Sequence, residues 1–171
     1  PLSFLGTSFG RLDRALNLGF LRGRGIGVVE TYGQKVNRMG PADYAAMLKR
    51  SLVTINFSSA VTFQHLTGRV IEAAMSGAML LESANGETVE LLEPFRDFVP
   101  FQPPFDWVGS GQIGLGNADD LIQKIIHYTG HPEEAREIAR RGQEKVLREC
   151  GGEKFWTRLF DVVGLGKCVA V

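Results

Sequence analysis

The chain is poor in the residues that build metal and disulfide sites: its 171 residues include only two cysteines and three histidines. Cys150 and Cys168 show neither C-x-x-C nor metal-ligand spacing, and His65, His127 and His131 are not spaced as ligands either. A reduced, cytoplasmic setting with no metal and no cofactor is therefore expected. No serine stands in a nucleophile elbow and no H-E-x-x-H occurs, which removes two familiar hydrolase designs. There is no excess of charge: 19 basic residues balance 19 acidic ones, leaving no electrostatic case for nucleic acid or an anionic membrane as partner. No apolar run approaches the ~20 residues that a membrane helix needs. The opening Pro1-Leu2-Ser3-Phe4-Leu5 has neither an initiator Met nor the basic start of a signal peptide, so the chain reads as a piece of something longer. Cys168-Val169-Ala170-Val171 has the outline of a prenylation box, but Val is an unusual last residue and no polybasic run precedes it. The reading there is a frayed tail.

What is present resembles an average soluble domain, with 44% hydrophobic and 22% charged residues. The length suits one domain that buries its core without staples; residues 1–160 are expected to form it and 161–171 to be a tail. Apolar runs alternate with helical patterns. Strands are predicted over 2–6, 25–30, 52–57, 78–82 and 97–101. Helices are predicted over 11–21 (with Leu12, Ala15, Leu16 and Phe20 on one side), from Pro41, over 67–76 and over 88–95. Residues 102–116, rich in Pro, Gly, Phe and Trp, read as an irregular surface loop. Three helices follow, over 118–128 with Asn117 as cap and Leu121, Ile122, Ile125 and Ile126 inside, over 132–148, and over 153–160. Alternation of this kind predicts an α/β fold, a Rossmann-like parallel sheet with helices on both faces. Ligands of such sheets bind beyond the carboxyl ends of the strands.

The most informative stretch is Thr67-Gly68-Arg69-Val70-Ile71-Glu72-Ala73-Ala74-Met75-Ser76-Gly77, followed by the strand Ala78-Met79-Leu80-Leu81-Glu82. Gly77 is placed as a left-handed cap. Arg69 and Glu72 are two charges in an otherwise apolar helix, three residues apart and so on one face. One reading makes this a phosphate-binding helix start, with Arg69 assisting and Glu72 accepting hydrogen bonds from vicinal hydroxyls. The other is a local ion pair, and spacing does not separate them. The preceding loop offers donors at Gln64, His65 and Thr67 and backbone freedom at Gly68, as a diphosphate cradle would need, or it is an ordinary crossover capped by Thr67. Gly6-Thr7-Ser8-Phe9-Gly10 followed by Arg11 and Arg14 is a second candidate anion-binding turn, against a plain turn with solvated arginines. The formal G-x-G-x-x-G over 109–114 lies in the aromatic loop rather than between strand and helix, and is discounted. His127 and His131 read as structural groups near a helix end, and Glu137 with Arg141 as an exposed pair.

These residues carry a resemblance. Phe4-Leu5-Gly6-Thr7-Ser8, Gly25-Ile26-Gly27-Val28-Val29, Pro41-Ala42-Asp43-Tyr44, the stretch from Gly68 to Leu81, and Ala118-Asp119-Asp120-Leu121 through Arg140-Arg141-Gly142 resemble the C-terminal, donor-binding domain of GT-B glycosyltransferases. Within these, the CgeB/YkvP-like group related to glycosyltransferase family 4 is the most similar. The resemblance implies a nucleoside-diphosphate sugar as ligand and a missing N-terminal domain that holds the acceptor, so that the piece alone is inactive. It implies catalytic roles for Arg69 and Glu72, with Glu72 on the donor ribose and Arg69 and Arg14 on the departing diphosphate. Gly6, Ser8, Gln64, His65, Thr67 and Gly68 complete the expected substrate-binding set. Family 4 enzymes often carry two glutamates separated by seven residues; here Gln64 stands at the first of those positions. The alternative is a non-catalytic nucleotide-sugar-binding or interaction module of the same fold. A sugar-nucleotide epimerase is a third reading, for which no additional acid–base residues are found.

Overall fold

Five strands run parallel in one sheet, in the order β2-β1-β3-β4-β5. In a computed structural model, described over residues 2–6, 11–31, 40–58, 66–108, 111–154, 157 and 162, these are β1 (Leu2–Leu5), β2 (Val29–Thr31), β3 (Val53–Asn56), β4 (Met79–Ser83) and β5 (Val99–Phe101). The helices α1 (Leu12–Gly23), α2 (Pro41–Arg50), α3 (Gly68–Ser76) and α4 (Gly86–Leu91) make the crossovers between them. The strand order reverses direction once, between β1 and β3. Since parallel crossovers are right-handed, α1 covers one face of the sheet while α2 and α3 cover the other.

The burial pattern follows from the period of two along a strand. Val53, Ile55 and Phe57, with Met79 and Leu81, pack under α1 through Leu18 and Leu21. The intervening Leu80 packs under α3 through Val70, Ala73 and Ala74. Gly77 ends α3 at φ 78°, with its N–H bonded to the carbonyl of Ala74, as the sequence suggests. Among the described residues two further helices follow, α5 (Ala118–Gly130), capped by Asn117, and α6 (Pro132–Cys150), and the chain is helical again at residues 152–154. Helix α6 starts in the first layer with Ala135, Ile138 and Ala139 and ends in the second with Val146. It approaches the turn before β5 so closely that a Cβ on Gly142 would stand 2.3 Å from the Asp97 carbonyl oxygen.

Several expectations need correction. Residues 102–116 are not irregular: β6 (Phe105–Val108) and β7 (Gln112–Leu115) form an antiparallel hairpin, and Gly111 and Gly114 of the discounted glycine motif belong to it. Its aromatic residues alternate with turn formers, which the Pro and Gly content obscured. In α1 the inner residues are Asp13, Arg14, Asn17, Leu18 and Leu21, whereas Leu12 and Leu16 are exposed; Arg14 and Asn17 turn inward because buried backbone groups bond to them. In α5 the inner face is Leu121, Ile125 and Tyr128, and Ile126 is exposed. The helix expected over 88–95 is α4, two residues of which precede Thr88 under an Asn85 cap that accepts from Glu87 N at 2.9 Å. It stops at Leu91 ahead of Phe95, which takes a positive φ of 60°. Most of the helix expected over 153–160 and of the tail expected over 161–171, Cys168 included, lies outside the described residues.

Candidate functional site

The reversal of strand order between β1 and β3 is where such sheets form a crevice at their carboxyl ends. Gly6 leaves β1 there, Phe57 and Ser58 leave β3, Glu82 and Ser83 finish β4, and α3 starts there. Because Val53, Ile55 and Phe57 serve the α1 layer, Thr54, Asn56 and Ser58 face the other way; all three are polar and buried. A polar floor thus lies beneath the start of α3.

Two arginines reach this point from opposite faces. Arg14 of α1 is buried and donates from Nη2 to the Phe57 carbonyl at 2.9 Å. Burial, then the nearby charges of Arg69 and Arg11, pushes its guanidinium down to about 10, so it remains a cation at neutral pH. Arg69, in the first turn of α3, donates from Nη1 to Asn56 Oδ1 at 3.3 Å. Its guanidinium lies directly against Gly6, where a Cβ would come within 2.8 Å of Arg69 Cζ and Nη1. Glycine at position 6 is what lets the cation lie against the end of β1.

Asn56 organises the floor. Its amide nitrogen donates to Thr67 Oγ1 at 2.8 Å and to Ser58 Oγ at 3.1 Å. Thr67 occupies the N-cap position of α3, yet its hydroxyl makes no cap bond, so the expected Thr67 cap is absent. Among the described residues no side chain caps this helix start, and the first N–H groups of an uncapped helix have anion-binding character. Ser58 Oγ donates to Glu82 Oε1 in a short contact, and Ser58 N donates to Ser83 Oγ at 2.8 Å. Glu82 is completely buried. Burial pushes its carboxyl up to about 8, opposed by hydrogen bonds from Ser58 and Asn56 and by the charges of Arg69 and Arg14.

Glu72 is exposed one turn into α3 and accepts from Tyr44 Oη at 2.7 Å. The local ion pair weighed in the sequence does not describe these residues: Arg69 bonds to Asn56 while Glu72 bonds to Tyr44 of α2. Burial, and then this bond, raises the Tyr44 phenol above its ordinary value. Gly68 keeps the space beside the carboxylate open, since a Cβ there would lie 3.8 Å from Glu72 Oε1. Tyr44, Asn56 and Arg69 line one small pocket between α2, β3 and α3.

Of the residues singled out in the sequence, Gly6, Arg14, Thr67, Gly68, Arg69 and Glu72 are gathered at this end of the sheet. Ser8, Gln64 and His65 lie outside the described residues. Tyr44, Asn56, Ser58 and Glu82 were missed; the available signal was a polar residue ending each of two apolar strands. His127 and His131 sit far along the fold, stacked with ring centroids 4.4 Å apart, with His127 bonded to Glu134 at 2.8 Å. Among the described residues, no three His, Cys, Asp or Glu side chains converge as a metal site requires, and no helix is long and apolar enough to cross a membrane.

Residues 19–161 match the model of a family described as glycosyl transferase-like. No curated protein matches the chain in sequence. Solved structures do match the fold. HepE of Anabaena, in complex with UDP, superposes with a TM-score of 0.57 at 15% identity, covering 99% of this chain and 39% of that one. A glycosyltransferase from Rickettsia africae gives 0.64 at 12% identity, over 94% of this chain and 38% of that one. Sucrose-phosphate synthase from Thermosynechococcus elongatus gives 0.60 at 15% identity, over 95% and 46%. The chain therefore spans less than half the length of these structures, and the likeness is one of fold: a Rossmann-like half of a GT-B architecture.

Proposed function

Since the chain belongs to this glycosyl transferase-like family, we propose that it is the donor half of a two-domain sugar transferase. It holds a nucleoside-diphosphate sugar while a separate domain brings the acceptor. The observation that carries this reading is the meeting of Arg14, Arg69 and the uncapped start of α3 at the sheet's reversal point, with an exposed carboxylate one turn further on. Cations and helix-start N–H groups suit a diphosphate, and a carboxylate with a free edge suits vicinal hydroxyls.

In this assignment Glu72 accepts from the donor ribose, and Tyr44, by occupying Oε2, leaves Oε1 directed to the ligand. Arg69 and Arg14 face the diphosphate, with Gly6, Thr67 and Gly68 shaping the cradle. When the bond between the sugar carbon and the diphosphate oxygen breaks, its electron pair stays on that oxygen. Fixed cations that meet the growing charge lower the barrier without reorganising. The Gly68–Leu81 motif supports a place in the CgeB/YkvP-like group. UDP is the first ligand to try, because HepE was solved with it.

Calorimetric titration of the chain with UDP, GDP and their sugar conjugates tests the proposal. Saturable binding to one base is expected, with Glu72→Ala weakening it at least about tenfold, the loss of one to two charge-assisted hydrogen bonds, and leaving Tm unchanged. Tyr44→Phe is expected to weaken it less. Undiminished affinity in Glu72→Ala would remove the assignment. Binding without sugar transfer by the two-domain parent would establish the alternative, a nucleotide-sugar-binding module.

A further inference from the structure

Glu82 ends a strand whose Met79, Leu80 and Leu81 are apolar and buried, and it is itself fully buried. A carboxylate there is costly, where an apolar side chain would fill the space without desolvating a charge. It sits inside one polar cluster. Ser58 Oγ donates to its Oε1, the neighbouring Asn56 amide favours its charged form as well, and the charges of Arg14 from α1 and Arg69 from α3 both bear on it. Its second oxygen, Oε2, has no hydrogen-bond partner among the described residues. Asn56 donates to Ser58 and Thr67 and accepts from Arg69. A chain of contacts therefore runs from Glu82 through Ser58 and Asn56 to the guanidinium that rests against Gly6.

We infer that Glu82 is a positioning residue of the diphosphate site: through Ser58 and Asn56 it fixes the pose of Arg69, and as the anion beneath both arginines it sets how much positive charge they present to a diphosphate. This rests on the donor reading above. An ionised Glu82 offsets one of the two cationic charges, and a protonated Glu82 leaves both for the ligand. With the carboxyl poised at about 8, the free protein holds both forms slightly above neutral pH. A diphosphate on the arginines adds negative charge, which favours the protonated carboxyl. Binding then draws a proton onto Glu82, and affinity falls as pH rises through the carboxyl's range. The other charged or titratable groups at this point are Arg11 and Asp13, which act on Arg14, and Tyr44 and Glu72, which flank Arg69. Arg14 itself, at about 10, sets the upper limit of the useful window.

The test is calorimetric binding of UDP and of inorganic pyrophosphate from about pH 7 to about pH 9.5. The wild-type chain is expected to lose affinity by up to about tenfold across that range. Glu82→Gln keeps the shape and the Ser58 contact but carries no charge, and is expected to hold its affinity across the range. Ser58→Ala removes a bond that favours the ionised form and is expected to move the fall to higher pH. A purely structural role for Glu82 leaves these profiles superimposed. A wild type with no slope, or a Glu82→Gln variant that keeps the wild-type slope, overturns the inference while leaving the donor reading in place. Absence of binding to either probe at every pH sinks both. If the variants do not fold, carbon-13 NMR of the glutamate carboxyls in the wild type reads the group directly. Every carboxyl titrating in the ordinary glutamate range, or a high midpoint that pyrophosphate leaves in place, overturns it as well.

Discussion

Glu82 also carries a consequence for stability that needs no ligand. Unfolded, its carboxyl has the ordinary value of 4.5; folded, it stands at about 8. The folded state therefore keeps a proton that the unfolded state releases. Its contribution is complete below about 4.5 and is lost as pH rises towards about 8. Glu82→Gln removes this dependence. Its Tm is expected to exceed that of the wild type by a margin that grows from about pH 5 to about pH 8, reaching on the order of 10 °C, and then stays constant. Thermal scans at a series of pH values check this, and parallel curves for the two proteins would contradict it. At this scale Arg69 and Glu72 were legible because two charges in an apolar helix ask for partners. Those partners were not. Asn56 stands opposite Glu82 only because β3 pairs with β4 in that register, and Tyr44 meets Glu72 only because α2 lies beside α3. Spacing along a chain carries neither fact.

Among the elements, α1 departs most from its pattern. Leu12 and Leu16 suggested the inner face, yet the helix turns Asp13, Arg14 and Asn17 inward. Asn17 explains part of this: its side chain donates to the Phe105 carbonyl at 2.7 Å and accepts from Phe105 N at 3.0 Å, tying the β6–β7 hairpin to α1, with Phe20 edge-on to Phe105. A strand end that finds its partners in a distant helix side chain leaves no periodic trace in the sequence, which is why both the hairpin and the helix face were missed. Asn17→Ala is expected to destabilise the chain by about 1–3 kcal/mol, since it leaves two part-buried backbone groups of Phe105 without their partner. Urea denaturation gives the magnitude. Hydrogen exchange at Phe105 N–H, accelerated in the variant, shows that the loss is at the hairpin. By contrast α3 was legible end to end, because Gly77 and the strand after it mark its limit whatever packs on top.

At the scale of the molecule, the order β2-β1-β3-β4-β5 gives two hydrophobic layers and a crevice at its reversal point, and α6 joins the layers along the β4–β5 side. Helix α6 is fastened there by Gln143, which donates to the Met75 carbonyl at 2.7 Å, and by Lys145, 3.3 Å from Asp97. In the proposed donor site a ligand would touch groups from both layers and so report on the whole fold. UDP at about a hundred times its Kd is expected to stabilise the wild type by about 2.7 kcal/mol, seen as a rise in Tm of several degrees. Glu72→Ala at the same UDP concentration is expected to show little of that rise. The α/β alternation, and hence the crevice, was readable from the sequence, because apolar runs and helical stripes report layers. Which side each helix takes follows from strand order, which the sequence does not spell out.

The two arginines reach the crevice from different layers: Arg14 rides on a helix seated over Val53, Ile55 and Leu81, and Arg69 on one seated over Leu80. Each charge is thus inherited with its own packing. Substitutions under α1 are therefore expected to shift Arg14 while leaving Arg69 in place, so that the two cations are adjustable one layer at a time.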